Sequence, residues 1–198
     1  MILNNTQQSQ WLLKADLLRI FSNCFAYPDE SRIVATKELV DEIFSTELFH
    51  SSTASILHLL LKFLTNTSLQ EEYSKIFVQG GIPLSETAYN PSLDIYSELS
   101  AFYHAFGVQP KSGDAPDTLP YELEFLGVLC LKIALAQDKD QQTVAGQAYV
   151  QFIHHHLLPL VEKLHQKLEK PFAESIYTQL SDLLKKFLQQ ENRTFNMN

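Results

Sequence analysis

Apolar residues recur every three or four positions along almost the whole chain, and this periodicity limits its fold more than any other feature. Residues three or four apart share one face of an α-helix. The pattern begins near Leu12, Ala15 and Leu18 and continues to Leu180 and Leu184. No stretch shows the sustained alternation of apolar and polar residues that is typical of a half-buried strand. The sequence therefore predicts an all-α bundle of about eight or nine helices.

The same pattern predicts a single helical domain over residues 1–198, with a core at about 8–190 and a flexible, polar C-terminal tail at 191–198. We expect Asp29 to cap the second helix and residues 68–71 to form a capping box. Asn90-Pro91 predicts an N-cap followed by proline in the first helical position. Pro159 is expected to kink a helix or to restart it.

Composition excludes several classes of protein. The 198 residues include 45% hydrophobic residues, which indicates a folded chain, while six glycines and eight prolines are few for a β-sandwich or barrel. The net charge of −8 argues against a nucleic-acid partner, because nucleic-acid binding needs a basic surface. A basic partner, such as an arginine-bearing peptide, remains compatible with that charge.

The cysteines and the N-terminal sequence indicate a cytoplasmic protein. Cys24 and Cys130 both lie within apolar helical runs and are not in C-x-x-C spacing, so we expect two buried free thiols. The N-terminus lacks the pattern of a signal peptide. The longest apolar stretch, residues 56–64, is interrupted by His58 and Lys62 and is too short to span a bilayer. We therefore expect no stable membrane insertion.

Side chains that are candidates for catalysis or metal binding do not form a recognisable site. Three adjacent imidazoles at residues 154–156 point in different directions on a helix, so they cannot converge on one ion, although His156 can be buried. Glu122 and Glu124 are two residues apart and face opposite ways, so one of them is expected to face water and the other to need a hydrogen-bonded partner. No nucleophile elbow or phosphate-binding loop is present. The sequence predicts no enzyme activity, no cofactor and no metal.

Two predicted loops, at residues 78–90 and 107–117, carry polar and aromatic residues that helix packing does not require. These residues lie in or beside the two loops: Glu86, Tyr89, Asp117 and Tyr121. An acidic rim beside exposed aromatic rings suits an arginine-containing peptide with an apolar tail, since carboxylates pair with guanidinium and apolar walls accept the tail. The loops therefore indicate a peptide-binding site.

Several short motifs, in order, resemble those of the TorD/DmsD/NarJ family of cytoplasmic chaperones for molybdopterin oxidoreductases. The family's E-Y-x-x-L-F motif is similar to Glu72, Tyr73, Ile76 and Phe77. Its P-x-Y-E-S-x-Y loop is similar to Pro83, Glu86, Thr87 and Tyr89. Its P-D-H-x-x-x-E-L-E-F motif is similar to Pro116, Asp117, Glu122, Leu123, Glu124 and Phe125. The resemblance extends over roughly residues 12–191. Thr118, Leu160 and Ser85 depart from the family pattern, which indicates a divergent member.

The resemblance implies an all-helical chaperone that binds the twin-arginine signal peptide or the apo form of a molybdopterin-containing catalytic subunit. It would hold that subunit for cofactor insertion before export or assembly. The residues that the resemblance and the loops together place near the peptide are Tyr73, Phe77, Pro83, Glu86, Tyr89, Pro116, Asp117, Thr118, Tyr121, Glu122 and Glu124.

Two other functions remain open from the sequence. One is an all-α scaffold or regulatory protein that binds a folded partner surface, and the other is a metal-dependent helical enzyme built on the histidines. The sequence does not name the client enzyme, distinguish the signal peptide from the mature region, or exclude nucleotide binding. A monomer and a domain-swapped dimer are both compatible with the long loops.

Overall fold

The protein is an all-α helical bundle, as the sequence predicts. The structure, a computed structural model, describes residues 3–45, 54–91 and 94–196. Within these ranges it contains no β-strand beyond one isolated bridge. The α-helices are α1 (Asn5–Phe25), α2 (Glu30–Ser45), α3 (Ala54–Leu64), α4 (Leu69–Tyr73), α5 (Ile95–Ala105), α6 (Leu119–Ala134), α7 (Lys139–Phe152), α8 (Leu158–Leu168) and α9 (Ile176–Asn196).

Helix α6 lies at the centre of the bundle, where it packs most extensively against α1 and also against α7. Its sequence is apolar on most sides, which is typical of a helix that is surrounded by others. The rings of Phe125 on α6 and Phe152 on α7 lie 4.8 Å apart, centroid to centroid, and both are almost fully buried. Aromatic side chains of this size dominate the burial of apolar surface in a core.

Helices α7 and α8 form one continuous rod that changes geometry between them. A π-helical turn, Ile153–Leu157, separates the two helices, and Pro159 follows in the first turn of α8. Proline has no backbone N–H and its ring collides with the carbonyl four residues earlier, so a regular α-helix cannot continue through it. The expected restart at Pro159 is therefore confirmed. His156 lies in the π-helical turn and is buried.

Helix starts were predicted with mixed success. Asp29 accepts a hydrogen bond from the backbone N–H of Arg32 at 2.9 Å, which confirms it as the cap of α2. The prediction of a capping box at residues 68–71 is wrong. The side chain of Ser68 makes no capping hydrogen bond, and the backbone of Ser68 is not in the extended conformation that is typical of an N-cap. The expected start at Asn90-Pro91 is also wrong, since α5 begins at Ile95.

Residues 191–196 of the expected polar tail 191–198 instead continue α9 to Asn196, and 197–198 lie outside the described residues. Glu191 explains the extension, because it is buried and its carboxylate accepts from Lys14 Nζ at 2.6 Å and from the Tyr149 hydroxyl at 2.9 Å. These bonds attach the end of α9 to α1 and α7. The sequence around Glu191 does not indicate that its carboxylate will be buried and bonded to residues of α1 and α7.

Cys24 and Cys130 are buried free thiols, which confirms that prediction. Burial raises the pKa of both thiols, so they are poorly reactive. None of the helices in the described ranges combines the length and the apolar character that crossing a bilayer requires.

Candidate functional site

The segment 80–91, here called the Glu86 loop, lies across the N-terminal end of α6. Ser85 and Thr118 form an isolated antiparallel bridge between the loop and the residue that precedes α6. The backbone N–H of Glu86 donates to the carbonyl of Asp117 at 2.7 Å. The two loops that the sequence singled out are therefore in direct contact.

Glu86 turns inward and pairs with His156 in the π-helical turn between α7 and α8. The distance from His156 Nδ1 to Glu86 Oε2 is 3.0 Å, and both side chains are almost fully buried. An ionised carboxylate only accepts hydrogen bonds, so Nδ1 is the donor. The imidazole also contacts the rings of Phe102 and Phe152, at centroid distances of 5.6 and 5.1 Å. This pair attaches the Glu86 loop to the interior of the bundle.

Asp117 is also buried, with 3% of its surface exposed. Its carboxylate accepts a hydrogen bond of 2.5 Å from the Thr87 hydroxyl in the Glu86 loop. Next to it, the hydroxyl of Tyr103 on α5 donates to the carbonyl of Pro116 at 2.5 Å. These bonds hold the residues before α6 between the Glu86 loop and α5.

Glu122 is the most unusual carboxyl group of the site. It is fully buried on α6, and among the described residues neither of its carboxylate oxygens has a hydrogen-bond partner. Burial raises the pKa of Glu122 well above its ordinary value, and the nearby charges of Glu86 and Asp117 raise it further. Both effects favour the protonated form of this side chain. The hydrogen-bonded partner expected for the buried member of the Glu122 and Glu124 pair is not found in the described part of the chain.

We call Glu86, Asp117 and Glu122 the buried acidic cluster. The expectation of an exposed acidic rim is wrong for Glu86 and Asp117, which are 5% and 3% exposed. Glu122 is the buried member of the Glu122 and Glu124 pair. Tyr103 on α5 lies beside all three, because burial and then the charges of Glu122, Glu86 and Asp117 raise the pKa of this tyrosine. Glu124 is the exposed carboxylate of the predicted set, and its Oε1 accepts from the Ser22 hydroxyl at 3.2 Å. Whether any of these residues binds a peptide stays a prediction.

Two tyrosines of the predicted site are half-buried at its edge. The Tyr89 hydroxyl donates to the carbonyl of Pro83 within the Glu86 loop at 2.9 Å, and burial raises the pKa of Tyr89 to about 12. The ring of Tyr121 lies 5.3 Å from that of Tyr103. Burial and then the charges of two nearby carboxylates raise the pKa of Tyr121. Both phenols are neutral at physiological pH and act as hydrogen-bonding and apolar surfaces.

Tyr73 and Phe77 belong to a different aromatic cluster. Their ring centroids lie 5.9 and 5.1 Å from that of Tyr177 on α9, and Tyr73 also contacts Tyr27 at 5.5 Å. The aromatic contacts of these two residues thus attach the segment that precedes the Glu86 loop to α9 and to the connection between α1 and α2. The structure does not bring them into the buried acidic cluster.

His156 is a residue of the candidate site that the sequence did not single out. The sequence allowed it to be buried beside exposed His154 and His155, and the structure has this arrangement. Its partner Glu86 lies 70 residues away, and no local pattern in the sequence joins the two. Within the described ranges, no group of three or more His, Cys, Asp or Glu side chains is arranged to hold a metal ion.

Comparison with known proteins places these features in a family. The profile of the family described as nitrate reductase delta subunit matches residues 47–166. The chain is 33% identical over 131 residues to the selenate reductase assembly chaperone protein of Thauera selenatis, covering 61% of this chain and 67% of that protein. It is 28% identical over 178 residues to the nitrate reductase molybdenum cofactor assembly chaperone NarJ of Escherichia coli K12, covering 85% of this chain and 68% of NarJ.

Proposed function

The chain belongs to the nitrate reductase delta subunit family, and on that premise we propose that it is a maturation chaperone for a molybdopterin-containing oxidoreductase. The similarity to two relatives named as assembly chaperones supports this proposal most directly. The resemblance of the Glu86 loop and of residues 116–125 to motifs of the wider chaperone family agrees with it. The chaperone would act by binding and not by catalysis, and it would need no cofactor of its own.

The proposed client is the catalytic subunit of the oxidoreductase, held in the cytoplasm through its N-terminal segment or in its apo form until the molybdenum cofactor is inserted. The acidic charge of the chain supports a basic, arginine-bearing segment as the bound element. Exposed Glu124 and half-buried Tyr121 are one helical turn apart on α6 and are accessible to such a segment. They form the proposed first point of contact.

The buried acidic cluster supplies the second part of the proposal. It holds three carboxyl groups and one imidazole, so its acidic groups outnumber its basic one, and Glu122 has no hydrogen-bond partner in the part of the chain that the structure describes. Opening of the Glu86 loop would expose these groups to a guanidinium, which pairs with carboxylates through two parallel hydrogen bonds. Binding of an arginine would then replace the contacts that the loop loses. In this mechanism the loop is closed without a client and opens when the arginine enters.

Deletion of the gene in its source organism tests the proposed function. Cells lacking the protein should still synthesise the catalytic subunit of the client oxidoreductase, but the subunit should contain little molybdenum and show little reductase activity. A plasmid copy of the wild-type gene should restore both. The metal content is measured on the purified subunit, and its amount by immunoblotting.

The matched control is a plasmid copy carrying Glu38→Lys, a charge reversal at an exposed position on α2. It should restore the molybdenum content as the wild-type gene does. Fully metallated, active molybdopterin enzymes in the deletion strain would contradict the proposal.

A further inference from the structure

The π-helical turn Ile153–Leu157 holds one residue more than a turn of α-helix. The backbone N–H of Leu158 donates to the carbonyl of Ile153, five residues earlier, which is the bond of a π-helix. A second π-helical segment, Ser74–Gln79, ends where the Glu86 loop begins. In the described ranges both π-helical segments therefore border this loop, one directly in sequence and the other through His156. Turns of this kind are rare and are frequent at functional sites, so their placement points to a role in the loop.

The buried face of the rod formed by α7 and α8 repeats every four residues, which a regular α-helix cannot keep on one side. Two neighbouring rows of buried residues run along it: Ala145, Tyr149, Ile153, Leu157 and Val161, and Ala148, Phe152, His156, Leu160 and Leu164. Four residues turn an α-helix about 40° more than a full circle, so along the first row the excess reaches about 160°. The extra residue of the π-helical turn takes back roughly 100° of this excess, which is the rotation of one residue. It thereby keeps His156 in line with Phe152 and facing Glu86.

Pro159 keeps the extra residue within the turn. If the extra residue moved along the rod into α7 or α8, residues 155–159 would take regular α-helical geometry. The proline ring would then collide with the carbonyl of His155, and proline has no N–H to donate to that carbonyl. The proline therefore opposes movement of the extra residue in either direction.

Movement of the extra residue would break the bond between His156 and Glu86. Helix α7 packs against α6 and α8 packs against α9, so the change falls on the residues of the turn and not on the helices. At the radius to which side chains extend from a helix axis, about 5–6 Å, a rotation by half of one residue displaces the tip by roughly 4–5 Å. The distance from His156 Nδ1 to Glu86 Oε2 is only 3.0 Å, so the hydrogen bond would be lost.

We propose that Pro159 is a positioning residue for the Glu86 loop and that the π-helical turn is the latch that it holds closed. With the extra residue in the turn, His156 meets Glu86 and the loop is closed. When the extra residue leaves the turn, His156 withdraws and the loop is released. This inference rests on the proposed function for the purpose of opening, which is access of a client to the buried acidic cluster, and it adds the element that controls the opening.

Two backbone amides report whether the loop is closed. The N–H of Glu86 donates to the carbonyl of Asp117 at 2.7 Å, and the N–H of Leu119 donates to the carbonyl of Leu84 in the loop at 2.8 Å. Both bonds join the loop to the start of α6. Amide hydrogen exchange at these two positions, measured by NMR spectroscopy without a client, therefore follows opening of the loop.

The Pro159→Ala variant tests the latch, because alanine supplies the missing N–H and favours the α-helix. We expect the amides of Glu86 and Leu119 to exchange at least about tenfold faster than in the wild-type protein. The Nδ1 proton of His156, which is buried and bonded in the wild-type protein, should be lost from the NMR spectrum through exchange with water. Pro159→Ser should give the same results and replaces the alanine variant if that variant does not fold.

Pro171→Ala is the matched control, because it makes the same substitution at an exposed position in the connection between α8 and α9. Its loop amides and its His156 signal should be those of the wild-type protein. Unchanged exchange in Pro159→Ala would overturn the proposal. Equal acceleration at the amides of α1 and α9 would also overturn it, since the proline would then stabilise the whole bundle and not the latch.

A double variant shows whether the proline acts through the histidine. His156→Phe should itself accelerate exchange of the two loop amides, and adding Pro159→Ala should bring no further increase. If the two effects multiply, the proline holds the loop by another route and the latch is overturned. No client is present in these measurements, so they decide the latch alone, and the chaperone function stands or falls by the gene deletion.

Discussion

His156, in the π-helical turn between α7 and α8, donates from Nδ1 to the carboxylate of Glu86 over 3.0 Å in the interior of the bundle. This bond is the point where the Glu86 loop is attached to the core. The loop therefore does not lie loosely on the surface, and its position depends on a residue that is remote in sequence. The predicted site residues Glu86 and Asp117 owe their burial to this arrangement.

The His156→Phe variant should lower the free energy of unfolding by about 3–5 kcal/mol, because it leaves the Glu86 carboxylate buried without a partner. Phenylalanine fits the aromatic surroundings of Phe102 and Phe152, so loss of the hydrogen bond to Glu86 and not of packing dominates the effect. Urea denaturation at neutral pH measures it. The double variant Glu86→Leu, His156→Phe removes both members and should recover part of the loss. If the double variant is destabilised as much as His156→Phe or more, the interaction between Glu86 and His156 does not stabilise the fold.

The Glu122→Gln variant should gain stability over the wild-type protein as pH rises. In the unfolded chain Glu122 deprotonates near the ordinary value of 4.5, whereas burial raises its pKa in the folded protein. Above that ordinary value unfolding therefore releases a proton, and the free energy of unfolding of the wild-type protein falls with rising pH until the folded pKa is passed. Glutamine cannot ionise, so the variant does not lose stability in this way. The free energy of unfolding of the variant minus that of the wild-type protein should therefore increase by at least about 1 kcal/mol between about pH 5 and pH 7.5.

Thermal unfolding across this pH range measures the effect of Glu122→Gln. The control is Glu98→Gln, a substitution of an exposed carboxylate on α5, which should show no comparable trend. A difference between Glu122→Gln and the wild-type protein that stays constant with pH would mean that Glu122 is ionised in the folded state.

The Glu124→Lys variant should weaken binding of an arginine-bearing N-terminal peptide by several-fold at low salt, and the difference should shrink as salt screens the exposed pair. Charge reversal at Asp117 is a poorer test, since that side chain is buried and bonded to Thr87. Isothermal titration at two salt concentrations measures the effect. Glu38→Lys on α2 makes the same change of charge and should leave the affinity unaltered. If both variants weaken binding equally, the effect comes from the change in net charge and not from Glu124 at a binding site.

The Glu191→Ala variant should destabilise the fold by about 2–4 kcal/mol, because it removes the acceptor of the buried Tyr149 hydroxyl and the partner of Lys14. Chemical denaturation measures the loss. Glu174→Ala, at an exposed position before α9, should change stability by less than about 0.5 kcal/mol. An equally small effect at Glu191 would mean that the end of α9 is not attached to the bundle as the structure shows.

The sequence predicted what local periodicity determines. The apolar spacing of α6 and α9, the cap at Asp29 and the interruption at Pro159 all follow from interactions within a few residues, and all are confirmed. The capping box at Ser68 failed because the match of residue types does not ensure the extended backbone that a cap needs.

The candidate site was predicted less completely, because its geometry depends on contacts between distant segments. Glu86 and Asp117 look like ordinary polar loop residues in sequence, and only the crossing of the Glu86 loop over α6 buries them. The exposed stripe from Leu131 to Leu135 reads as core by its periodicity, yet no described helix covers it. Periodicity identifies an apolar face, but it does not say which neighbour, if any, packs on that face.

The central measurement is capture of the client from cells. The tagged protein is expressed in its source organism during anaerobic respiratory growth, purified under non-denaturing conditions, and the bound proteins are identified by mass spectrometry. We predict that one large molybdopterin-type catalytic subunit co-purifies in its cofactor-free form, and that removal of its N-terminal segment abolishes capture. Recovery of an unrelated partner, or of no partner although the oxidoreductase is being produced, would contradict the proposed function.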